Sequence, residues 1–253
     1  MAQFTGRHAL ITGGGRGIGA AIASALRATG ARVTIVGRTE EALRQTVAAG
    51  DADEFAVCDV TDGEAVARAF GEAAGRGGAI DLLVNNAGGA FSAPFQRTTT
   101  ADVRAMLDLN LMSCVHTAHA VLPGMVDRRY GRIVNVASTA ALKGYPYVSA
   151  YVAAKHAVLG LTRALALETA RSGVTVNAVC PGFTDTDLVA RSVDEIVAKT
   201  GRTAEAARAE LTAGNPQGRL VNRTEVAAAV LFLCGPGAGA ITGVALPVAG
   251  GEV

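Results

Sequence analysis

The sequence predicts an α/β protein: a doubly wound, seven-stranded parallel sheet with helices on both faces and a helical lid. Three observations predict it. Short β-branched runs alternate with alanine-rich helical stretches from the first residues to about residue 180. The runs are continuously apolar rather than alternating, as strands covered on both faces must be. A glycine-rich turn, Thr12-Gly13-Gly14-Gly15-Arg16-Gly17-Ile18-Gly19, follows the first run and opens the first helix.

In chain order, strands are expected at residues 8–12, 32–36, 55–60, 82–85, 132–138 and 175–180, with a last one at 245–249. Parallel neighbours need crossovers, and the intervening helices supply them. The first helix is expected over 20–29. Thr39 is placed to cap the next, with Glu40 and Glu41 as first-turn acids that favour the positive helix end. Thr61 with Glu64, and Ser192 with Glu195, have capping-box spacing. After Pro181-Gly182 come about forty residues with no strand signal and two short helical patterns, 193–199 and 204–212. A helix over 225–234 precedes the last strand, where Pro247 points to an edge position. Residues 1–253 are expected to be one domain, with 183–222 as a lid inside it.

Composition excludes several roles. The net charge is +1 and basic residues form no patch or stripe, which argues against a nucleic-acid face. The most apolar helical stretch, 226–234, is far too short to span a bilayer, and the early run 9–12 is strand-sized, so neither membrane span nor signal peptide is expected. Cys58, Cys114, Cys180 and Cys234 are scattered in apolar contexts and read as buried free thiols of a reducing compartment, here the cytoplasm. His8, His116, His119 and His156 lack metal-ligand company, and no catalytic metal is expected.

The glycine turn carries chemistry because its context is strand, turn, helix. Glycines allow a tight turn and close approach of a pyrophosphate, which then sits on free N–H groups at the helix start. Thr12, Gly13, Gly15, Arg16, Gly17, Ile18 and Gly19 are the candidate contacts, spaced Gly-x-x-x-Gly-x-Gly. An acid at the tip of the second strand would hold the ribose hydroxyls of NAD. Here the tip reads Val36-Gly37-Arg38, with no carboxylate. Arg38, aided by Arg16, suits a 2′-phosphate instead, so NADP(H) is the preferred cofactor and NAD(H) the lesser one.

Tyr151 and Lys155 lie four residues apart in a helical run, which sets a phenol and an ammonium one turn apart on one face. A cation beside a phenol favours the phenolate, and such a tyrosine can exchange a proton with a carbonyl or alcohol. Ser138 ends a strand at the carboxyl edge of the sheet, where its hydroxyl can donate to an oxygen gaining negative charge.

With these motifs and Asn85-Asn86-Ala87-Gly88 in place, nearly the whole chain resembles the short-chain dehydrogenase/reductase family. The resemblance implies a Rossmann fold and hydride transfer between a nicotinamide cofactor and a carbonyl or secondary alcohol. It implies cofactor contacts from Asn86, Ala87 and Gly88, from Asp59 and Val60 at the adenine, and from Pro181, Gly182 and Thr184 beside the nicotinamide. Tyr151 and Lys155 would also hold the nicotinamide ribose. Asn110 matches the helix asparagine that holds a water linking the lysine to solvent. The resemblance further implies a homotetramer, in which the helix ending near Tyr130 and the helix from Ser149 meet their symmetry mates.

The Tyr-to-Lys spacing differs from that of enoyl-thioester reductases, and the glycine spacing differs from that of sugar-nucleotide epimerases. Carbonyl/alcohol redox on a small molecule remains. Segments 89–97, 139–147 and the lid should wall the pocket, with Phe91, Phe95, Tyr145 and Tyr147 adding apolar area; Lys143 reads first as a solvated loop lysine and second as a contact for a thioester carrier phosphate. Residues 151–156 and 180–182 resemble 3-hydroxybutyrate dehydrogenases. Those enzymes carry a glutamine and a lysine where this chain has Ala90 and Val148, so a small free carboxylate loses its anchors. A 3-oxoacyl thioester is the favoured substrate, and another hydroxy acid, alcohol or cyclic ketone the alternative. A non-catalytic NADP-binding regulator is the other class of reading, which loss of Ser138, Tyr151 or Lys155 would have favoured.

Overall fold

The computed structural model describes residues 3–253. Seven strands form one sheet: β1 (His8–Thr12), β2 (Arg32–Gly37), β3 (Glu54–Val57), β4 (Ile80–Asn85), β5 (Gly131–Val136), β6 (Val174–Pro181) and β7 (Ala245–Val248). Their order is β3-β2-β1-β4-β5-β6-β7, and every pairing is parallel. β1, β4, β5 and β6 are buried along their whole length, which is why their sequences read as unbroken apolar runs. β7 lies at an edge, where Pro247 is tolerated.

The helices are α1 (Gly17–Ala28), α2 (Glu40–Ala48), α3 (Gly63–Gly77), α4 (Thr100–Leu107), α5 (Ser113–Asp127), α6 (Ser149–Thr169), α7 (Asp187–Thr200), α8 (Ala204–Thr212) and α9 (Arg223–Cys234). One face of the sheet is covered by Ile22, Ala23 and Leu26 of α1 with Val226, Val230 and Leu233 of α9. The other is covered by Val66 and Phe70 of α3, Val121 and Met125 of α5, and Ala166 of α6.

Three boundaries differ from expectation for physical reasons. α1 begins at Gly17, three residues earlier than expected, so Gly17, Ile18 and Gly19 belong to its first turn. β3 ends at Val57, and Cys58 N donates to Gly37 O (2.9 Å) as the chain leaves the sheet. β5 ends at Val136, leaving Ser138 just past the strand. The capping boxes also moved. Asp62, not Thr61, caps α3, accepting from the N–H groups of Glu64 and Ala65. Ser192 lies inside α7, which starts at Asp187, because the helix is longer than its apolar pattern. Two unforeseen boxes are Thr99 with Asp102 and Asn222 with Glu225.

The excursion between Gly182 and Asn222 carries α7 and α8. Its two ends are stitched by one parallel bridge: Val221 N donates to Phe183 O (2.8 Å) and Asp185 N to Val221 O (2.9 Å). Arg219 holds Glu225 with two 2.7 Å hydrogen bonds, fixing the return into α9.

Polar side chains inside the sheet position the helices around it. Asn85 Nδ2 donates to Asn135 Oδ1 (2.8 Å) across β4 and β5. Asn85 Oδ1 accepts from Thr117 of α5 (2.7 Å), and Asn135 Nδ2 donates to Thr162 of α6 (2.9 Å). Leaving any one of these buried groups unpaired costs about 1–3 kcal/mol, so the network fixes where α6 sits over the sheet.

Candidate active site

The strand order reverses between β1 and β4, and an open sheet binds ligands outside the strand tips at such a point. The glycine turn lies there. Gly13 and Gly17 have left-handed φ of 65° and 56°. A Cβ at Gly19 would fall 2.2 Å from Gly13 O and 2.5 Å from Asn86 Nδ2, so no side chain fits. The first-turn N–H groups of α1 are left bare for an anion, which is what a pyrophosphate cradle requires. Gly15 packs against α2, where a Cβ would lie 3.2 Å from Ala42 C. Ile18 packs on the core and holds the turn down.

Asn86 ties this turn to the tip of β4. Its Nδ2 donates to Thr12 O (3.0 Å) and Gly13 O (3.1 Å), while Thr12 Oγ1 accepts from Asn86 N (3.0 Å) and Ala87 N (2.9 Å). Thr12 therefore serves as a strut between two strands.

At the tip of β2, Arg16 Nη2 lies 3.5 Å from Thr39 Oγ1, and Arg38 Nη1 lies 4.0 Å from Asp59 Oδ2. Two exposed guanidinium groups thus flank the start of α2. Hydrogen bonds from the amide and hydroxyl of Thr61 hold the Asp59 carboxyl below the usual range, with Arg38 adding to the effect. Val60 is buried behind it, its carbonyl accepting from His116 Nδ1 (3.2 Å).

Ser138 caps a short 3₁₀ turn over Thr139–Ala141, and its Oγ accepts from Ala140 N (3.1 Å). That contact uses a lone pair and leaves the hydroxyl proton free. Tyr151 and Lys155 share a face of α6, with Lys155 Nζ 5.8 Å from the Tyr151 ring centre. Lys155 is 5% exposed and donates to Val136 O (3.0 Å). Asn110 lies in a π-helical turn, Asp108–Met112, which pushes its amide out of the helix toward the β4 loop. Its Nδ2 donates to Gly89 O and Met106 O, both at 3.0 Å. A Cβ at Gly88 would fall 2.8 Å from Asn110 Oδ1 and 3.4 Å from Lys155 Nζ, so only glycine allows the three to meet.

Gly182 N donates to Val248 O (3.1 Å), which anchors the Pro181-Gly182 turn to β7. Thr184 is buried, with its hydroxyl donating to Gly182 O (3.0 Å). Tyr147 has a left-handed φ of 66°, a strained choice for a bulky residue at about 1–2 kcal/mol. Its carbonyl accepts from Ala93 N (2.8 Å) and so joins the two loops expected to wall the pocket. Tyr145 meets Phe183 edge-on at 6.3 Å.

All four cysteines are free and buried. Burial pushes the Cys180 thiol up to about 11 and the Cys234 thiol up to about 12, so neither is a nucleophile. Among the described residues no three metal-ligating side chains converge, and no helix is long and apolar enough to cross a membrane.

The family model for the short chain dehydrogenases matches residues 7–196. The chain belongs to that family. It is therefore an oxidoreductase enzyme of a family that binds NAD(P)(H) and acts on small carbonyl or alcohol compounds. It is 40% identical to a provisionally named ketoacyl reductase of Streptomyces coelicolor, over 99% of this chain and 98% of that one. It is 37% identical to a D-beta-hydroxybutyrate dehydrogenase of Cupriavidus necator, covering 99% of each. The crystal structure of a variant actinorhodin polyketide ketoreductase with NADPH superimposes with a TM-score of 0.93 at 38% identity, covering 100% of this chain and 98% of that one.

Two side chains escaped the sequence reading. Lys143, expected to be a solvated loop lysine, pairs with Glu252 (3.1 Å). Glu252 itself follows two glycines with no motif around it, so nothing local could have flagged it.

Proposed function

We propose that this enzyme is an NADP(H)-dependent reductase of 3-oxoacyl thioesters. The observation that carries the reading is the Tyr151–Lys155 pair, one helical turn apart and tied by Val136 to the strand that delivers Ser138. When bound, NADP(H) supplies the hydride. Ser138 donates a hydrogen bond to the carbonyl oxygen as charge builds there and keeps its proton. Tyr151 transfers a proton to the same oxygen, and Lys155 stabilises the phenolate left behind. Asn110, through the water it is read as holding, reconnects Lys155 to solvent.

Thr12, Gly13, Gly15, Arg16, Gly17, Ile18 and Gly19 form the proposed pyrophosphate cradle, with Asp59 and Val60 at the adenine and Asn86, Ala87 and Gly88 below it. Pro181, Gly182 and Thr184 flank the proposed nicotinamide site. The absence of an acid at the tip of β2, with Arg16 and Arg38 there instead, supports NADP(H) over NAD(H). Ketoacyl reductases among the relatives support a thioester substrate, as do Ala90 and Val148 where carboxylate anchors would stand.

In this reading residues 1–253 are one catalytic domain, with 183–222 as its substrate lid. Four buried free thiols support a reducing, cytoplasmic setting. A homotetramer is proposed because α6 keeps an uncovered face, with Leu167 81% exposed. Following NADPH oxidation against 3-oxoacyl thioesters, aromatic ketones and sugars tests the substrate class. Turnover confined to sugars or aromatic ketones would overturn it.

A further inference from the structure

A buried carboxylate is tied to the loop after β5, and the proton transfer described above does not use it. Glu252, on the segment after β7, has a side chain only 3% exposed. Lys143 Nζ lies 3.1 Å from its Oε1 and donates to its main-chain oxygen at 3.3 Å. The Tyr145 hydroxyl donates to the same Oε1 and lies 2.6 Å from Thr139 Oγ1, one residue beyond Ser138. On the other side, a Cβ at Gly182 would fall 3.0 Å from Glu252 Oε2, and one at Gly214 would fall 3.3 Å from Oε1. Three walls of the pocket therefore converge on this one carboxylate: the loop after β5, the turn after β6 and the return limb of the lid. Burial and the neighbouring carboxylate both raise the Tyr145 phenol, which keeps it a protonated donor to Glu252.

We propose that Glu252 determines substrate specificity by occupying Lys143. This rests on the reading of the site as a carbonyl reductase. A half-exposed lysine on a pocket loop would otherwise offer its ammonium to any small substrate ending in a carboxylate. Paired with Glu252, that charge is neutralised, and Oε2 adds negative potential on the Gly182 side. The pocket then accepts 3-oxo compounds whose far end is uncharged, such as esters and thioesters, and disfavours the free 3-oxo acids. Ala90 and Val148 offer no substitute cation. Glu252 acts through Lys143 and needs no contact with substrate.

Acetoacetate and methyl acetoacetate carry the same ketone and differ in charge, so their kcat/KM ratio with NADPH reads the effect. Wild type should favour the ester. Glu252→Gln keeps the size and an acceptor for Tyr145 while removing the negative charge that neutralises Lys143. A charge-assisted hydrogen bond to a partly exposed lysine should then raise the acid-to-ester ratio about tenfold, through KM for the acid. The double variant Glu252→Gln with Lys143→Met should lose that gain. A folded Glu252→Gln enzyme with an unchanged ratio, or with the gain retained in the double variant, overturns the proposal. If Glu252→Gln does not fold, Lys143→Met alone decides: the ratio must fall below wild type, and an unchanged or raised ratio overturns the role. Wild-type enzyme that reduces neither ketone, nor any thioester, would overturn the carbonyl-reductase reading itself.

Discussion

Lys155 Nζ donates to the carbonyl oxygen of Val136 at 3.0 Å, joining the helix that bears Tyr151 to the strand that ends two residues before Ser138. The ammonium is buried, and this bond fixes one of its three protons. The approach of Gly88 and Asn110 on another side leaves it aimed between the β4 loop and the phenol. One side chain thus sets the distance between the proposed proton donor and the proposed oxyanion donor.

Lys155→Ala should accordingly harm two functions together. Turnover should fall by about a hundredfold or more, the usual scale of acid–base assistance. NADPH affinity should fall as well, since the same ammonium is proposed to hold the ribose. Fluorescence titration of NADPH beside steady-state kinetics separates the two, and an intact cofactor affinity would remove Lys155 from the cofactor site.

Arg38→Ala should narrow the preference for NADPH over NADH by about tenfold, because one charge-assisted contact to a phosphate is lost. Dissociation constants for both cofactors, measured at one ionic strength, check this. A wild-type enzyme that binds NADH more tightly would contradict the assignment of Arg16 and Arg38.

His8 predicts a pH dependence of stability. Its Nδ1 lies 2.7 Å from Gly78 O and its Nε2 2.8 Å from Thr34 Oγ1, so the neutral ring satisfies both. Desolvation by burial lowers its pKa below 6.5, opposed in part by the Gly78 hydrogen bond. The folded state therefore binds this proton less readily than the unfolded chain. Its contribution is complete above about pH 6.5 and is lost as pH falls toward the folded value. Urea midpoints at about pH 7.5 and about pH 5.5 should separate more for wild type than for His8→Gln. Equal separations would contradict the assignment.

The exposed face of α6 predicts assembly. Light scattering at micromolar concentration should report a closed assembly, a tetramer first and a dimer as the fallback. A stable, active monomer would refute it.

Much of this was legible in the sequence, for identifiable reasons. Strands buried on both faces announce themselves as apolar runs, and the Tyr151–Lys155 spacing follows from helix geometry alone. The start of α1 is hidden in the sequence because glycines depress helix propensity, although Gly17–Gly19 form its first turn. The end of β3 is hidden because Val60 is apolar yet lies past the sheet, buried beside His116 of α5. The Asn85–Asn135–Thr162 network and the Lys143–Glu252 pair join residues far apart in the chain, and periodicity carries no trace of such pairings.

Tyr151→Phe tests the central claim most directly. Removing the hydroxyl keeps the ring and its packing while deleting the proposed proton donor. With NADPH and a 3-oxoacyl thioester that the wild-type enzyme reduces, turnover should fall by about 10²–10⁴-fold while NADPH binding stays close to wild type. Near wild-type turnover in the Tyr151→Phe enzyme would contradict the account.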